Sequence, residues 1–241
     1  MLYNSEIPLS SGYTNVIINA GKVENHGWEI GVNSENITGD FTWTTSANIA
    51  FNRNKVLALN DRNDPIYSGR SGEGSFTHIT EVGKPVGLFY GYVVEGIYKD
   101  QADLDKSPKH VTSVPGSIKY KDVDGNGIIE PVNDFAIIGD PNPKFVWGLT
   151  NNFSWKGIDL GIVLVGAQGG QVLKTANQFL ENIDGIFNVD RGVLNRWRSP
   201  EKPGDGKTPT TNGARVIYRD INSSWVEDAS FMRIQNITLG Y

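Results

Sequence analysis

The chain has no cysteine among its 241 residues, which excludes disulfides and thiolate metal sites and is compatible with an envelope protein. It has no run near the roughly 18 apolar residues of a membrane helix; the longest apolar stretch is around LGIVLVGA at 160–167. Helical spanning is excluded, and spanning by strands is not. Basic residues are scattered and the formal charge is -5, so nucleic acid is not an expected partner. Histidine is also scarce. His26, His78 and His110 lie far apart without metal-ligand spacing, and surface or turn positions are expected for each. No pair of carboxylates or phosphate-loop ending marks a catalytic centre, so an enzyme is not expected; VGAQGGQ at 165–171 lacks the Lys-Ser/Thr that such a loop requires. The N-terminal MLYNSEIPLSSGY lacks the basic start, apolar stretch and cleavage site of a secretory signal. Either a cytoplasmic protein or a chain whose beginning is missing fits that.

What the chain has is alternation. In FTWTTSANIAFN at 41–52, Phe41, Trp43, Ala47, Ile49 and Phe51 share one face, and Thr42, Thr44, Ser46, Asn48 and Asn52 share the other. Such a strand is long for a globular domain and near the roughly 9 to 11 residues that cross a bilayer at a tilt. Trp28, Ile30 and Val32 alternate before it, with a polar turn at 34–40 making an antiparallel hairpin. The period returns in 145–155 and, after a tight Lys156-Gly157 turn, in 158–166. A further aromatic strand is expected at 86–98. In the last strand, 230–241, the parity of Met232 and Ile234 differs from that of Ile237, Leu239 and Tyr241, which predicts a bulge. Long polar segments at about 60–77, 99–143 and 167–224 alternate with short turns, and 172–183 carries the one slight helix signal. This asymmetry suits an outer-membrane barrel.

KDVDGNGIIE at 121–130 reads as half of an EF-hand-type loop. Asp122, Asp124 and Asn126 alternate, Gly127 permits the turn, and the Ile128 carbonyl and Glu130 occupy the next ligand positions. The twelfth position falls on Asn133, with Asp134 one place late. Two readings stay open: a Ca²⁺ site made of Asp122, Asp124, Asn126, Ile128, Glu130 and Asp134, or a metal-free turn whose Asp and Asn side chains bond their own backbone. The aromatic residues read as interfacial girdles, with Tyr67 and Phe187 as loop candidates for stacking on a sugar.

Beyond period, the wording of NAGKVENHGWEIGV (19–32), NIAFNRNKVLALN (48–60), VGKPVGLFYGYVVEGIYKD (82–100), KDVDGNGIIE with IIGDPNPKFVWGLTNNFSWKGIDL (137–160) and VEDASFMRIQNITLGY (226–241) resembles the SusC/RagA family of TonB-dependent outer-membrane transporters. The resemblance implies an all-β fold, an antiparallel partial wall of a transmembrane barrel of about 22 strands, with 60–77, 99–143 and 167–224 as external loops. It implies a fragment truncated at both ends, without the plug and signal peptide. It implies outer-membrane location, contact with lipid, a SusD-like surface lipoprotein partner, energy from TonB through the missing N-terminal region, and a glycan or peptide as substrate. It also suggests one inserted residue near Pro131-Val132, with Asp134 standing for the family's acid. Phe41, Trp43, Ile49, Phe51, Trp147 and Phe153 are then expected on the lipid side, and the turns at 34–40, 83–85 and 156–157 at the periplasmic end. The alternative is a soluble calcium-binding β-rich carbohydrate-binding module, whose sheets would cover those apolar faces.

Overall fold

A computed structural model describes residues 2–6, 9–13, 15–19, 21–60, 62–72, 74–182, 188–210 and 220–241. In chain order, β1 (Leu2–Glu6) pairs with β2 (Asn15–Asn19), and β3 (Lys22–Ile37) forms a hairpin with β4 (Phe41–Ala58). Short elements follow: β5 (Ile66–Arg70), β6 (Phe76–Thr80), β7 (Leu88–Tyr92), β8 (Val94–Ile97), helix α1 (Gln101–Lys106), β9 (Ile118–Tyr120) and β10 (Phe135–Gly139). The long hairpin β11 (Phe145–Trp155) and β12 (Ile158–Gln168) comes next. The chain continues through β13 (Gln171–Leu173), α2 (Asn177–Leu180) and β14 (Val226–Asp228) to β15 (Phe231–Gly240). All pairings within these sheets are antiparallel.

The long strands make one sheet in the order β15-β12-β11-β4-β3. Its register opposes Phe41 to Trp155, Trp43 to Phe153, Ile49 to Trp147 and Ile30 to Ile49, so the alternating apolar residues of neighbouring strands fall on one face. Phe41, Trp43, Ile49, Phe51, Trp147 and Phe153 all lie there. Trp43 and Phe153 stack at 5.8 Å, and Phe51 meets Phe145 at 5.5 Å. The β11–β12 turn is as tight as the sequence predicts, with Lys156 at φ 49° and Gly157 at φ 85°, the two positive values that a two-residue turn between twisted strands requires. The parity change in the last strand is also present: the β12–β15 register shifts between Val163 and Leu164, leaving Met232, Ile234, Ile237 and Leu239 on the apolar face.

Nothing covers that face among the described residues. Trp28 is 79%, Ile237 58% and Leu239 73% exposed, and no apolar side chain of this sheet is buried except Val56, at the far end of β4. The buried core lies elsewhere. Ile79, Leu88, Tyr90, Tyr92, Ile118, Tyr120, Ile129 and Phe135 pack together in a separate body built from residues 59–144, with segments of 169–230 woven in. The Tyr92 amide donates to the Ile221 carbonyl (2.9 Å), Ser75 to Asp220 (2.6 Å), and the Thr210 amide to the Gly116 carbonyl (2.8 Å).

Two expectations need correction here. The aromatic stretch 86–98 is not one wall strand: Leu88–Tyr92 joins a four-stranded sheet, β10-β7-β6-β5, and Val94–Ile97 pairs with β9. All five residues of β7 are buried, so its aromatic character reflects burial on both faces. The Gly83-Lys84-Pro85 turn does not share an end with 156–157. It sits at the opposite end, where β4 extends beyond β11: the Val56 amide donates to the Lys84 carbonyl (2.9 Å) and the Gly83 amide to the Val56 carbonyl (2.8 Å). The 38–40 turn does lie at the 156–157 end, because Phe41 pairs with Trp155. The slight helix signal in 172–183 corresponds to the single turn of α2.

Candidate functional site

The 121–134 loop is fixed at both ends by one side chain. Tyr120, at its start, stacks on Tyr92 at 4.4 Å, and Phe135, just after it, meets the same ring edge-on at 4.5 Å. Ile129, 1% exposed, plugs the loop into the core, and its amide donates to the Lys109 carbonyl (3.1 Å). Its neighbour Ile128 points to solvent, so the apolar pair divides between anchoring and exposure.

Within this frame the acids fold inward. Asp122 accepts from the Gly125 amide (2.7 Å) and the Gly127 amide (2.8 Å), bonds that require the positive φ of both glycines. The Gly127 N–H, with that of Gly125 beside it, holds the Asp122 carboxyl below its usual range. Asp124 accepts from the Asn126 amide and side chain, and the Asn126 side chain accepts from the Ile128 amide (2.7 Å). Asp134 is fully buried; its two oxygens accept from the Val123 amide (2.8 Å) and the Glu130 amide (2.7 Å).

One carboxylate oxygen each of Asp122, Asp124 and Asp134 lies within 4.8 Å of the others. Three of the six sequence-derived residues therefore converge. Asp134, not Asn133, reaches the group, and the extra residue is absorbed at Val132, which stands exposed at φ 72°. Glu130 is outside the group and accepts from Asn133 instead (3.2 Å). The Asn126 amide is occupied by Asp124, and Ile128 has only its backbone carbonyl to offer.

The other candidates do not assemble. His78 is half-buried in β6 against Phe89 rather than in a turn, His110 bonds Thr112, and His26 is exposed in β3. Tyr67 sits between Phe76 (5.5 Å) and Tyr90 (5.4 Å), part of an aromatic row on β5–β7. Phe187 lies outside the described residues.

The long sheet supplies the second functional surface. Its other face carries Thr44, Ser46, Asn48, Thr150, Asn152, Asn236 and Thr238, with Gly148 and Gly161 between them. On the apolar face, the few polar groups bond one another: Trp43 Nε1 and Thr45 Oγ1 donate to Asn151 Oδ1 (2.9 and 2.7 Å), and Asn36 Nδ2 donates to Thr45 Oγ1 (2.7 Å). Sequence reading placed Trp43 and Asn48 on their faces but missed this network, because it depends on the register that sets Asn151 opposite Thr45 and on the bulge that brings Asn36 beside them.

No family model matches the chain. The whole chain aligns with two receptors of Formosa agariphila: TonB-dependent receptor P3, 34% identical over 248 residues, and TonB-dependent receptor P26, 32% identical over 246. It aligns likewise with TonB-dependent receptor SusC of Bacteroides thetaiotaomicron, at 26% over 247 residues. Over its whole length the chain is similar to a segment of these TonB-dependent receptors. The chain spans about a quarter of the length of these curated relatives, between 23% and 24%. Its fold matches the solved RagAB peptide transporter with a TM-score of 0.77 at 22% identity, covering 99% of this chain and 24% of that one. The RagAB importer in its 'open-open' state matches at 0.76 and 21%, with the same coverage. The receptor segment is thus all-β, and its long sheet has the fold of part of a transporter barrel.

Proposed function

We propose that the receptor segment supplies wall and external loops to an outer-membrane transporter that imports large nutrients, glycans or peptides, with energy from TonB and a SusD-like surface lipoprotein as partner. The observation that carries this reading is the uncovered apolar face opposite a polar one. Phe41 and Phe51, which bound the apolar row of β4, are ten residues apart, about 34 Å along a strand. At a tilt of about 35–45° that span rises about 24–28 Å, close to the apolar band of roughly 25 Å around an outer-membrane barrel. The self-satisfied network around Asn151 suits the same setting, since hydrocarbon offers polar groups no other partner. A soluble carbohydrate-binding sandwich would need a second sheet over Trp28, Ile30 and Val32. In this reading the 59–144 body, at the end opposite the tight turns, faces outward.

The absence of cysteine from this segment makes a direct test simple. Single cysteines at Val32, Ile237, Asn48 and Thr238 of the full-length receptor are treated in intact outer membranes with a water-soluble maleimide. Asn48 and Thr238 positions should react, and Val32 and Ile237 positions only after detergent is added. Equal reaction at all four refutes the reading.

A second reading concerns the 122–134 loop. We propose that it holds a hard cation, Ca²⁺, through Asp122, Asp124 and Asp134, with the Ile128 carbonyl in support. Three converging carboxylates, one of them fully buried, support this. The ion would neutralise their mutual repulsion and rigidify the loop. Calcium titration calorimetry of the full-length receptor should show a site lost in Asp122→Ala and Asp124→Ala; unchanged affinity in both variants refutes it.

A further inference from the structure

Asn stands directly before Gly at 126–127 and at 212–213, and the second pair lies outside the described residues. Among Asn-X pairs, Asn–Gly loses its side-chain amide most readily, because a residue without Cβ leaves its backbone nitrogen open to attack the neighbouring side-chain carbonyl. Asn126 and Gly127 are both exposed in the 121–134 loop, so water reaches the bond.

The loop nevertheless holds each group that this reaction has to move. The Gly127 nitrogen donates to Asp122 Oδ2 (2.8 Å), Asn126 Oδ1 accepts from the Ile128 amide (2.7 Å), and Asn126 Nδ2 donates to Asp124 Oδ2 (2.8 Å). The nitrogen must lose its proton before it attacks, and in the closed loop the resulting anion would face the Asp122 carboxylate, like charge against like. The side-chain carbonyl must also turn onto that nitrogen, and its two hydrogen bonds pin it at both ends. Ile129 and Asp134, both buried, fix the loop in the shape that makes these bonds.

We propose that Asn126 is a deamidation site whose reaction is held in check by closure of the loop. The proposal rests on neither the transporter reading nor the cation reading. When the bonds open, the Gly127 nitrogen gives its proton to water and bonds to Asn126 Cγ; the Cγ–Nδ2 bond breaks, and the amide group takes up a proton and leaves as ammonia. Water then opens the five-membered imide at either carbonyl, adding hydroxyl to the carbon and hydrogen to the nitrogen. The sum is one water consumed and one ammonia released. Opening at Cγ leaves an aspartate, a further carboxylate beside Asp122 and Asp124. Opening at the backbone carbonyl leaves isoaspartate, which lengthens the main chain by one carbon just before the Ile129 anchor. Neither product regains the amide, so the site records how long the loop has stood open.

The test ages the full-length receptor in detergent at neutral pH with excess chelator and then cuts it with trypsin, whose cleavage after Lys121 and Lys144 releases residues 122–144 as one peptide. Mass spectrometry with fragmentation locates the conversion of amide to acid. The same peptide, released first and aged in the same buffer, gives the rate without the loop. A hydrogen bond at the low end of its usual net contribution shifts an opening equilibrium about twofold, so three bonds should make Asn126 in the receptor about tenfold slower than in the peptide, or more. Asp122→Ala, which frees the Gly127 nitrogen, should shrink that lag by about twofold or more against its own peptide. Asp124→Ala, which frees the Asn126 amide group, should act in the same direction and serves if Asp122→Ala does not fold. Equal rates in wild-type receptor and peptide overturn the proposal, as does conversion in neither or at Asn133 in place of Asn126. An unchanged lag in both variants also overturns it.

Discussion

Asp134 is the residue on which the 121–134 loop closes, and its removal should unfasten the loop even without metal. Its carboxylate holds the Val123 and Glu130 amides at 2.8 and 2.7 Å in a place with no solvent access. Hydrogen bonds to a charged acceptor contribute about 1.5–3 kcal/mol each, and buried donors left unpaired lose that in full. Asp134→Ala therefore raises the free energy of the closed loop by about 3–6 kcal/mol, or by about 1.5–3 if water enters to serve one donor. As every 1.4 kcal/mol is a factor of ten, protection of the two amides should fall by about a hundredfold to ten-thousandfold, and by about tenfold at the least. Asp122→Ala removes two bonds of similar length from a more open position, where water replaces the carboxylate, and the loss there should be smaller. Hydrogen-exchange mass spectrometry on the full-length receptor in excess chelator measures both variants free of any cation contribution. Protection at 121–134 that stays within about threefold of wild type in Asp134→Ala would refute the reasoning.

Val32→Arg, in the apolar face opposite Ala47, should cost about 2–4 kcal/mol near the middle of the bilayer, whereas Asn33→Arg on the polar face should stay within about 0.5 kcal/mol. The heat-modified gel mobility of the full-length receptor compares them, and equal behaviour counts against the assignment of faces. Burial holds the His78 imidazole below its ordinary 6.5, so the unfolded chain binds the proton more readily. The 59–144 body, the upper body in the transporter reading, should thus keep its full stability above pH 6.5 and lose some as pH falls below it, and His78→Gln should flatten a melting curve series taken from pH 7.5 to 5; an unchanged slope contradicts this. Residues 1–241 expressed alone without detergent should aggregate, because β3 and β15 have no outer partner among the described residues and border an exposed apolar face. A monodisperse monomer with cooperative unfolding in sedimentation and calorimetry would reverse that expectation.

The wall was readable in the sequence because only one side of it is apolar. From Phe41 to Phe51 the apolar row is broken by Thr45 alone, and the register with β11 follows from matching Trp43 to Phe153 and Ile49 to Trp147. The upper body was not readable for the opposite reason. Leu88–Tyr92 is buried on both sides and shows no alternation, and the segment that completes its surroundings, Ile221–Asn222, is far away in the chain. The 83–85 turn misled by its brevity: it docks on the overhang of β4 instead of joining two wall strands. In the 121–134 loop, spacing identified Asp122 and Asp124 and the resemblance pointed to Asp134, but how Asp134 reaches them turned on the backbone at Val132, an unusual conformation for a β-branched residue.

The upper body leaves the wall at the end of β4 and returns at the start of β11, and these two strands are direct neighbours paired from Val146–Ala50 to Trp155–Phe41. Residues 59–144 are therefore an insertion between two neighbouring strands, leaving from the part of β4 that overhangs β11. Changes within them leave the rungs from Val146–Ala50 to Trp155–Phe41 in place, but act on the β4 overhang through the Val56–Lys84 bond and on the 169–230 segments through the Tyr92–Ile221 bond. Under the transporter reading, selection on what meets the outer surface acts on this insertion and the 169–230 segments together, while the paired rungs of β4 and β11 answer to the membrane.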